Sequence, residues 1–310
     1  MAGILDTVNQ RTQMVGQNRL ELLLFKLGGK QRYGINVFKV REVLQCPTLT
    51  QLPHRHPVVR GVAHIRGNTI SVIDMSMAIG GPPVANLEGS FIIIAEYNRA
   101  VQGFLVSSVE RIINTNWSDM HPPPKGSGTN TYLTAVTEID KQLVEIIDVE
   151  KILSEISPQS TQISQAILEK ASDKSMTDRA VLIADDSVVA RNQIKKTVEQ
   201  LGYRCVMAKD GAEALQILKD TVAKGLNPGN EFVMMISDIE MPEMDGYTLT
   251  AEVRGDPNLK DMYILLHTSL SGVFNRAMVA KVGADDFIPK FNPDELASAV
   301  QRRVEAANTR

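Results

Sequence analysis

Residues 232–246 read FVMMISDIEMPEMDG. An apolar run, Phe232 to Ile236, closes on Ser237 and then on an acid, Asp238; Glu240, Met241-Pro242 and Asp245-Gly246 follow as a punctuated loop. Two readings compete for this junction. A strand can end in a polar loop simply because loops are solvated, or a carboxylate can be held at the tip of a rigid strand in order to react. The surrounding chain bears on the choice. AVLIAD (180–185), YRCVMA (203–208), YILLHT (263–268) and DDFIP (285–289) are further apolar strands. Between and after them SVVARNQIKKTVEQLG, GAEALQILKDTVAKG, GYTLTAEVRG, GVFNRAMVAKVG and PDELASAVQRRVEAA read as helices. Five strand–helix units with unalternating apolar strands predict a parallel sheet covered on both faces, an α/β fold.

In such sheets ligands bind beyond the carboxyl ends of the strands. The residues expected there are Asp185 and Asp186 after the first strand, Asp238 after the third, Thr268 and Ser269 after the fourth, and Lys290 after the fifth. Three carboxylates on one rim repel, and without a partner at least one would hold its proton more tightly. A divalent cation removes that conflict, and an all-oxygen set with few protein ligands suits Mg²⁺. The ion would also neutralise an incoming phosphoryl group, leaving Asp238 as a nucleophile that forms an acyl phosphate. Thr268 and Lys290 would hold the phosphoryl oxygens. Taken singly each residue has an ordinary explanation: a strand-tip Asp can cap a helix, Asp186-Ser187 above all, and a lone lysine is a solvated charge. The joint pattern is the specific signal.

Composition narrows the field. The chain of 310 residues is long enough for about two domains. It is 43% hydrophobic and 22% charged, as expected of a soluble protein with ordinary cores. Net charge is −3, and on either side of residue 160 basic and acidic residues nearly balance, which argues against nucleic-acid binding. Cys46 and Cys205 are far apart, so a disulfide framework or zinc site is not expected and a reducing, cytoplasmic setting fits. No apolar run is long enough to span a bilayer, and the N-terminus lacks the pattern of a signal peptide.

Residues 1–19 read as a short helical arm. From 20 to 155 the texture is strand-like: LELLLFKLGG, NTISVID, SFIIIAE, AVQGFLVSSVERII and QLVEIIDV are short apolar runs parted by Gly, Asn and Pro. Many short strands predict an all-β unit, with one short helical stretch at NVFKVREVL and surface loops at GGPP (80–83) and HPPPKGSG (121–128). The polar, Ser/Thr/Gln-rich stretch 156–178 reads as a linker that can carry a helical piece at Ile163–Lys170, and 179–310 is the α/β domain. No catalytic set is evident before 156. His54 and His56 lie two apart without an accompanying Cys or carboxylate cluster and read as loop residues.

The motifs DD, D-x-x-M-P-x-M-D-G, T-S and the lysine seven residues past the glycine of GADDF resemble those of the response-regulator receiver domain over 179–308. The resemblance implies a flavodoxin-like (βα)5 fold. It implies that Asp238 accepts a phosphoryl group from the phosphohistidine of a kinase. Asp185, Asp186, Asp238 and the backbone carbonyl of Glu240 would surround Mg²⁺, Thr268 would turn toward the phosphoryl group, and Phe287 would follow it inward. Two departures stand out: Lys290-Phe291 replaces the family's usual Lys-Pro, often cis, and the switch aromatic is Phe rather than Tyr. A non-proline cis bond would cost about 3 kcal/mol. Glu240, two past Asp238, places an acid near any attacking water.

Over 20–155, YGI, V-x-E-V, LP, GV-x-x-x-RG and VID resemble the CheW coupling domain, a pair of SH3-like five-stranded barrels. That resemblance implies binding to chemoreceptor tips and to the histidine kinase CheA, with Val40, Glu42, Gly61 and Arg66 at positions associated with contact. Each also has a structural reading: Val40 half-buried, Gly61 in a turn of positive φ, Arg66 in an internal ion pair. A CheW-like domain followed by a receiver is the arrangement of CheV-type chemotaxis proteins. It implies a cytoplasmic adaptor at membrane-bound receptor arrays, tuned by phosphorylation of Asp238. It is not expected to be an enzyme beyond slow self-dephosphorylation. The rival is a phosphate sink that drains CheA while coupling proceeds independently. A haloacid-dehalogenase phosphatase would need D-x-D where the chain has Asp238-Ile239-Glu240.

Overall fold

The run RLELLLFK, β1 (Arg19–Lys26), is apolar at successive positions because both of its faces are buried. Leu20, Leu22 and Leu24 enter one apolar cluster, and Leu23, Phe25 and Leu27 another. This is seen in a computed structural model that describes residues 19–97, 100–123, 132–157, 161–172, 179–268 and 279–308. The helical arm expected over 1–19 lies outside the described residues but for its last. The described residues form two compact units, within Arg19–Pro158 and Gln159–Arg310.

The first unit is all-β apart from short helices. One five-stranded sheet has the order β8-β1-β2-β10-β9, built from β1, β2 (Arg32–Asn36), β8 (Ser108–Asn116), β9 (Leu133–Ile139) and β10 (Gln142–Ile147). The other has the order β3-β6-β7-β5-β4, from β3 (Val40–Gln45), β4 (Val59–Ile65), β5 (Asn68–Asp74), β6 (Phe91–Tyr97) and β7 (Ala100–Val106). Each sheet has its own cluster on one face, and the other faces share a third around Phe25 and Phe104, joined by α1 (Met75–Ala78) and α2 (Val149–Ile156). This is the expected pair of five-stranded SH3-like units. The stretch NVFKVREVL is helical only as a 3-10 turn at Val37–Lys39 and then runs as strand β3. Its burial alternates residue by residue, the period of a half-buried strand, and that period outweighs the helical reading. AVQGFLVSSVERII likewise divides at Ser107 into β7 and β8.

The second unit has a parallel sheet of order β12-β11-β13-β14-β15: β11 (Ala180–Ala184), β12 (Arg204–Ala208), β13 (Phe232–Ser237), β14 (Ile264–Thr268) and β15 (Asp286–Pro289). The central strands β11, β13 and β14 are buried at every position, which is why they read as unbroken apolar runs. One face is covered by α5 (Gly211–Ala223) and α7 (Gly246–Gly255). The other is covered by α4 (Val188–Gln200) and α8 (Pro293–Asn308). A one-turn helix α6 (Pro228–Glu231) precedes β13, and of GVFNRAMVAKVG only the end is among the described residues. Part of the stretch read as a linker is ordered here: α3 (Gln165–Ser172) packs against α8 within this unit.

Candidate functional site

Strand register brings the acids together. Ala184 pairs with Ser237, so Asp185 and Asp238 leave adjacent strands at the same level. Asp238 is held on all sides. Its N–H donates to the carbonyl of Ala184 (2.8 Å), its Oδ1 accepts from the Ile239 amide (2.7 Å), and the Ser237 hydroxyl donates to its carbonyl (2.8 Å). Ser187 caps α4, accepting from the Ala190 amide, so the cap is not Asp186. Asp185 Oδ1 accepts from the Ser187 amide (2.9 Å). Asp186 is thereby left half-buried at the rim beside two buried acids.

Lys290 completes the centre. Only 2% exposed, its Nζ lies 2.6 Å from Asp185 Oδ2 and 2.7 Å from Asp238 Oδ2. An ammonium bridging two buried carboxylates does what a cation must do there: it offsets their repulsion in a medium that screens poorly. Asp185, Asp186 and Asp238 each offer an oxygen within 4.8 Å of the others, and they form the one cluster of potential metal ligands among the described residues. Hard carboxylate oxygens, with the bridging ammonium standing in for positive charge, fit Mg²⁺. His54 and His56 are exposed loop residues and belong to no such cluster.

The remaining expected residues fall around this centre. Thr268 is fully buried at the tip of β14, and its carbonyl accepts from the Lys290 amide (2.7 Å). Ser269 lies outside the described residues. Phe287 on β15 is half-buried against the cluster on the α5–α7 face. Glu240 is half-buried in the loop after Asp238. Burial raises the pKa of the neighbouring Tyr247 hydroxyl, and the carboxylates of Asp245 and Glu240 add to the effect. No peptide is cis among the described residues, so Lys290 reaches both acids with a trans bond to Phe291. The Phe291 ring is buried edge-on against His267, with centroids 5.9 Å apart.

Two contributors, Arg191 and His267, do not stand out in the sequence, and Gly246, marked there as a turn residue, has a further role. Arg191, on the first turn of α4, donates to the carbonyl of Asp185. Gly246 begins α7 so close to the end of β13 that a Cβ there would stand 2.1 Å from the Asp238 carbonyl oxygen. The D-G dipeptide at 245–246 was a usable signal: Asp245 caps α7 by accepting from the Thr248 amide, and the glycine allows the approach. His267 is fully buried, and neither ring nitrogen has a hydrogen-bond partner among the described residues. Burial, reinforced by the nearby Lys290 charge, holds its pKa well below the usual 6.5.

In the all-β unit, Glu42 on β3 and Arg66 after β4 meet as a bidentate pair, Arg66 Nε lying 3.0 and 2.9 Å from the two carboxylate oxygens. Arg66 is well exposed and sits at φ 47° in the β4–β5 turn. Val40 is half-buried against the shared core. Gly61 is not in a turn but in the bulge of β4 against β5. There the backbone of Thr50 crosses so closely that a Cβ would lie 2.5 Å from its carbonyl oxygen. Asp74, the acid closing NTISVID, is fully buried. It accepts from Arg60 Nη1 (2.8 Å), the Val84 amide (2.9 Å) and the Met77 amide (3.2 Å), which ties GGPP down as a structural loop.

A parallel sheet of order 2-1-3-4-5, with an acidic triad and a lysine on its carboxyl rim, defines a receiver; it is joined here to a two-sheet β unit. Residues 21–157 match the CheW-like domain and residues 181–301 the response regulator receiver domain. Chemotaxis protein CheV3 of Helicobacter pylori is 30% identical over 92% of this chain and 94% of its own length. Chemotaxis protein CheV1 of the same organism is 29% identical over 99% and 100%. Chemotaxis protein CheW of Klebsiella aerogenes is 27% identical over 50% of this chain and 92% of its own. The chain belongs to the CheV family of chemotaxis proteins, fusions of a CheW-like domain with a receiver. No described helix is long and apolar enough to cross a membrane.

Proposed function

We propose that this protein is an adaptor coupling chemoreceptors to the histidine kinase CheA, and that phosphorylation of Asp238 tunes the coupling. The observation that carries the receiver half is the buried bridge of Lys290 between Asp185 and Asp238, beside Asp186. In the transfer step a carboxylate oxygen of Asp238 attacks the phosphorus of a phosphohistidine. An O–P bond forms, the N–P bond breaks, and the electron pair stays on the imidazole nitrogen. Asp185, Asp186, Asp238 and the Glu240 carbonyl would hold Mg²⁺, which supplies charge neutralisation for the transferred group when bound. Lys290 releases Asp238 and takes up a phosphoryl oxygen, Thr268 supplies a hydroxyl, and Phe287 turns inward behind it. Glu240, two positions past Asp238, would influence the water that later hydrolyses the acyl phosphate.

The CheW-like half supplies binding rather than chemistry. The contact surface for receptor tips or the kinase would centre on the exposed Arg66 guanidinium and its half-buried partner Glu42, with half-buried Val40 and buried Gly61 in supporting positions. The working site would be the membrane-bound receptor array, reached through these partners and not through insertion. The decisive experiment incubates the protein with phosphorylated CheA and Mg²⁺ and follows the label. Transfer to wild type and none to Asp238→Asn is expected; no transfer, or equal transfer to both, ends the receiver reading. If Asp238→Ala leaves coupling intact while CheY phosphorylation rises, the domain is a phosphate sink instead.

A further inference from the structure

The α4–α8 face of the receiver is occupied by the chain itself. Ile163 is buried in the same cluster as Val181, Ile194, Leu296 and Val300, with Ile167 and Leu168 packed beside it. Side chains of the receiver grip the backbone of this segment. Gln200 donates to the Thr161 carbonyl (2.7 Å) and accepts from the Ile163 amide (3.1 Å). Asp294 Oδ1 accepts from the Ser164 amide (2.8 Å), and Gln301 donates to the Ile167 carbonyl (2.9 Å). Three receiver side chains thus hold 161–167 as a strap, and α3 continues it.

One of those grips is joined to the phosphoryl-sensing lysine by a short, ordered path. Lys290 is followed by Phe291, whose ring lies in the strap's own cluster against His267. Asn292 then caps α8 by accepting from the amides of Asp294 and Glu295 (3.0 and 3.2 Å). The Asp294 side chain that holds Ser164 is therefore set by the loop that Lys290 begins. With Lys290 on Asp185 and Asp238, that loop and the strap fit together. When the ammonium releases Asp238 for a phosphoryl oxygen, the loop must shift, and a packed interface answers a shift by changing partners rather than by stretching.

We infer that phosphorylation of Asp238 releases the strap 161–172 from the α4–α8 face. This rests on the phosphoacceptor reading above and adds the output surface. Release makes the apolar side chains of Ile163, Ile167 and Leu168, now packed on the receiver, available to other surfaces.

The test is hydrogen exchange on the full chain with Mg²⁺, with and without acetyl phosphate as donor, with occupancy of Asp238 measured by mass. Exchange over 161–172 should rise at least about fivefold in the phosphorylated protein, the low end of ordinary coupling energies. It should not rise in Asp238→Asn. Phosphorylated Asp238 with unchanged or slower exchange over 161–172 overturns this inference alone and leaves the phosphoacceptor reading standing. Absence of phosphoryl from Asp238 overturns both. Asp294→Ala loosens the strap without donor, and by reciprocity it should raise phosphoryl occupancy at a fixed donor concentration. Unchanged exchange and occupancy in that variant also refute the coupling.

Discussion

Replacing Lys290 with methionine isolates the charge at the centre of the receiver. The side chain keeps most of its length and an apolar stem, while two buried carboxylates lose the ammonium at 2.6 and 2.7 Å. Carboxylate oxygens within 4.8 Å of one another then repel by about 3–4 kcal/mol at an effective dielectric of about 20. Breaking buried ion pairs by removing one partner costs about 3–5 kcal/mol, in the same range. For a domain of this size that corresponds to a melting temperature lower by roughly 10–15 °C near neutral pH. The penalty carries two signatures. Without the ammonium, one carboxylate must have a folded pKa above its unfolded value of about 3.9. The destabilisation is therefore absent below about pH 4 and grows as pH rises through the higher folded value. Mg²⁺ should restore most of the loss in the variant and stabilise wild type less, since it replaces charge that wild type already has. Scanning calorimetry is the assay. The single tryptophan, Trp117, lies in the CheW-like unit, so its fluorescence reports the wrong domain. A Lys290→Met receiver that melts with wild type at pH 7, or one that Mg²⁺ stabilises no more than wild type, would refute the bridge as the source of neutralisation.

Gly246→Ala sets a Cβ 2.1 Å from the Asp238 carbonyl oxygen, so it should destabilise the receiver by about 3 kcal/mol and abolish phosphotransfer, both measurable on the purified protein. His267 is neutral in the folded state with its pKa held down by burial, whereas the unfolded chain takes up a proton near pH 6.5. Receiver stability should therefore fall as pH drops below about 6.5, and His267→Phe should flatten that part of the profile; an unchanged profile would show that other groups carry it. Arg66→Ala removes an exposed ion pair and should cost less than about 1 kcal/mol, yet weaken binding of receptor or kinase in a pull-down. Loss of fold without selective loss of binding would mark the pair as structural.

Much of the receiver was legible because its signals are local. Strands buried on both faces must be apolar at every position, and Met241-Pro242 and Asp245-Gly246 mark the turn by their own backbone constraints. The CheW-like unit was less legible. The pattern V-x-E-V sits in a strand, where the short run NVFKVREVL had suggested a helix. Gly61 looked like a turn glycine, but what requires it is the backbone of Thr50, eleven positions earlier. The stretch 156–178 looked like a linker because its Ser, Thr and Gln outnumber its apolar residues. Ile163, Ile167 and Leu168 form the stripe that matters, and the surface receiving it comes from α4 and α8.

The sequence by itself determined the order of the receiver's strands, the two-domain organisation and the residues expected at the rim. Those follow from periodicity, breakers and the polarity of strand ends, all set within a few residues. The tertiary structure alone decided which charges meet. Lys290 finds Asp238 across 52 positions, and Arg66 finds Glu42 across 24. Asp294 reaches back 130 positions to Ser164. The reason is physical: a pairing of side chains depends on strand order and register, and those are fixed only when the sheets and their covering helices pack together.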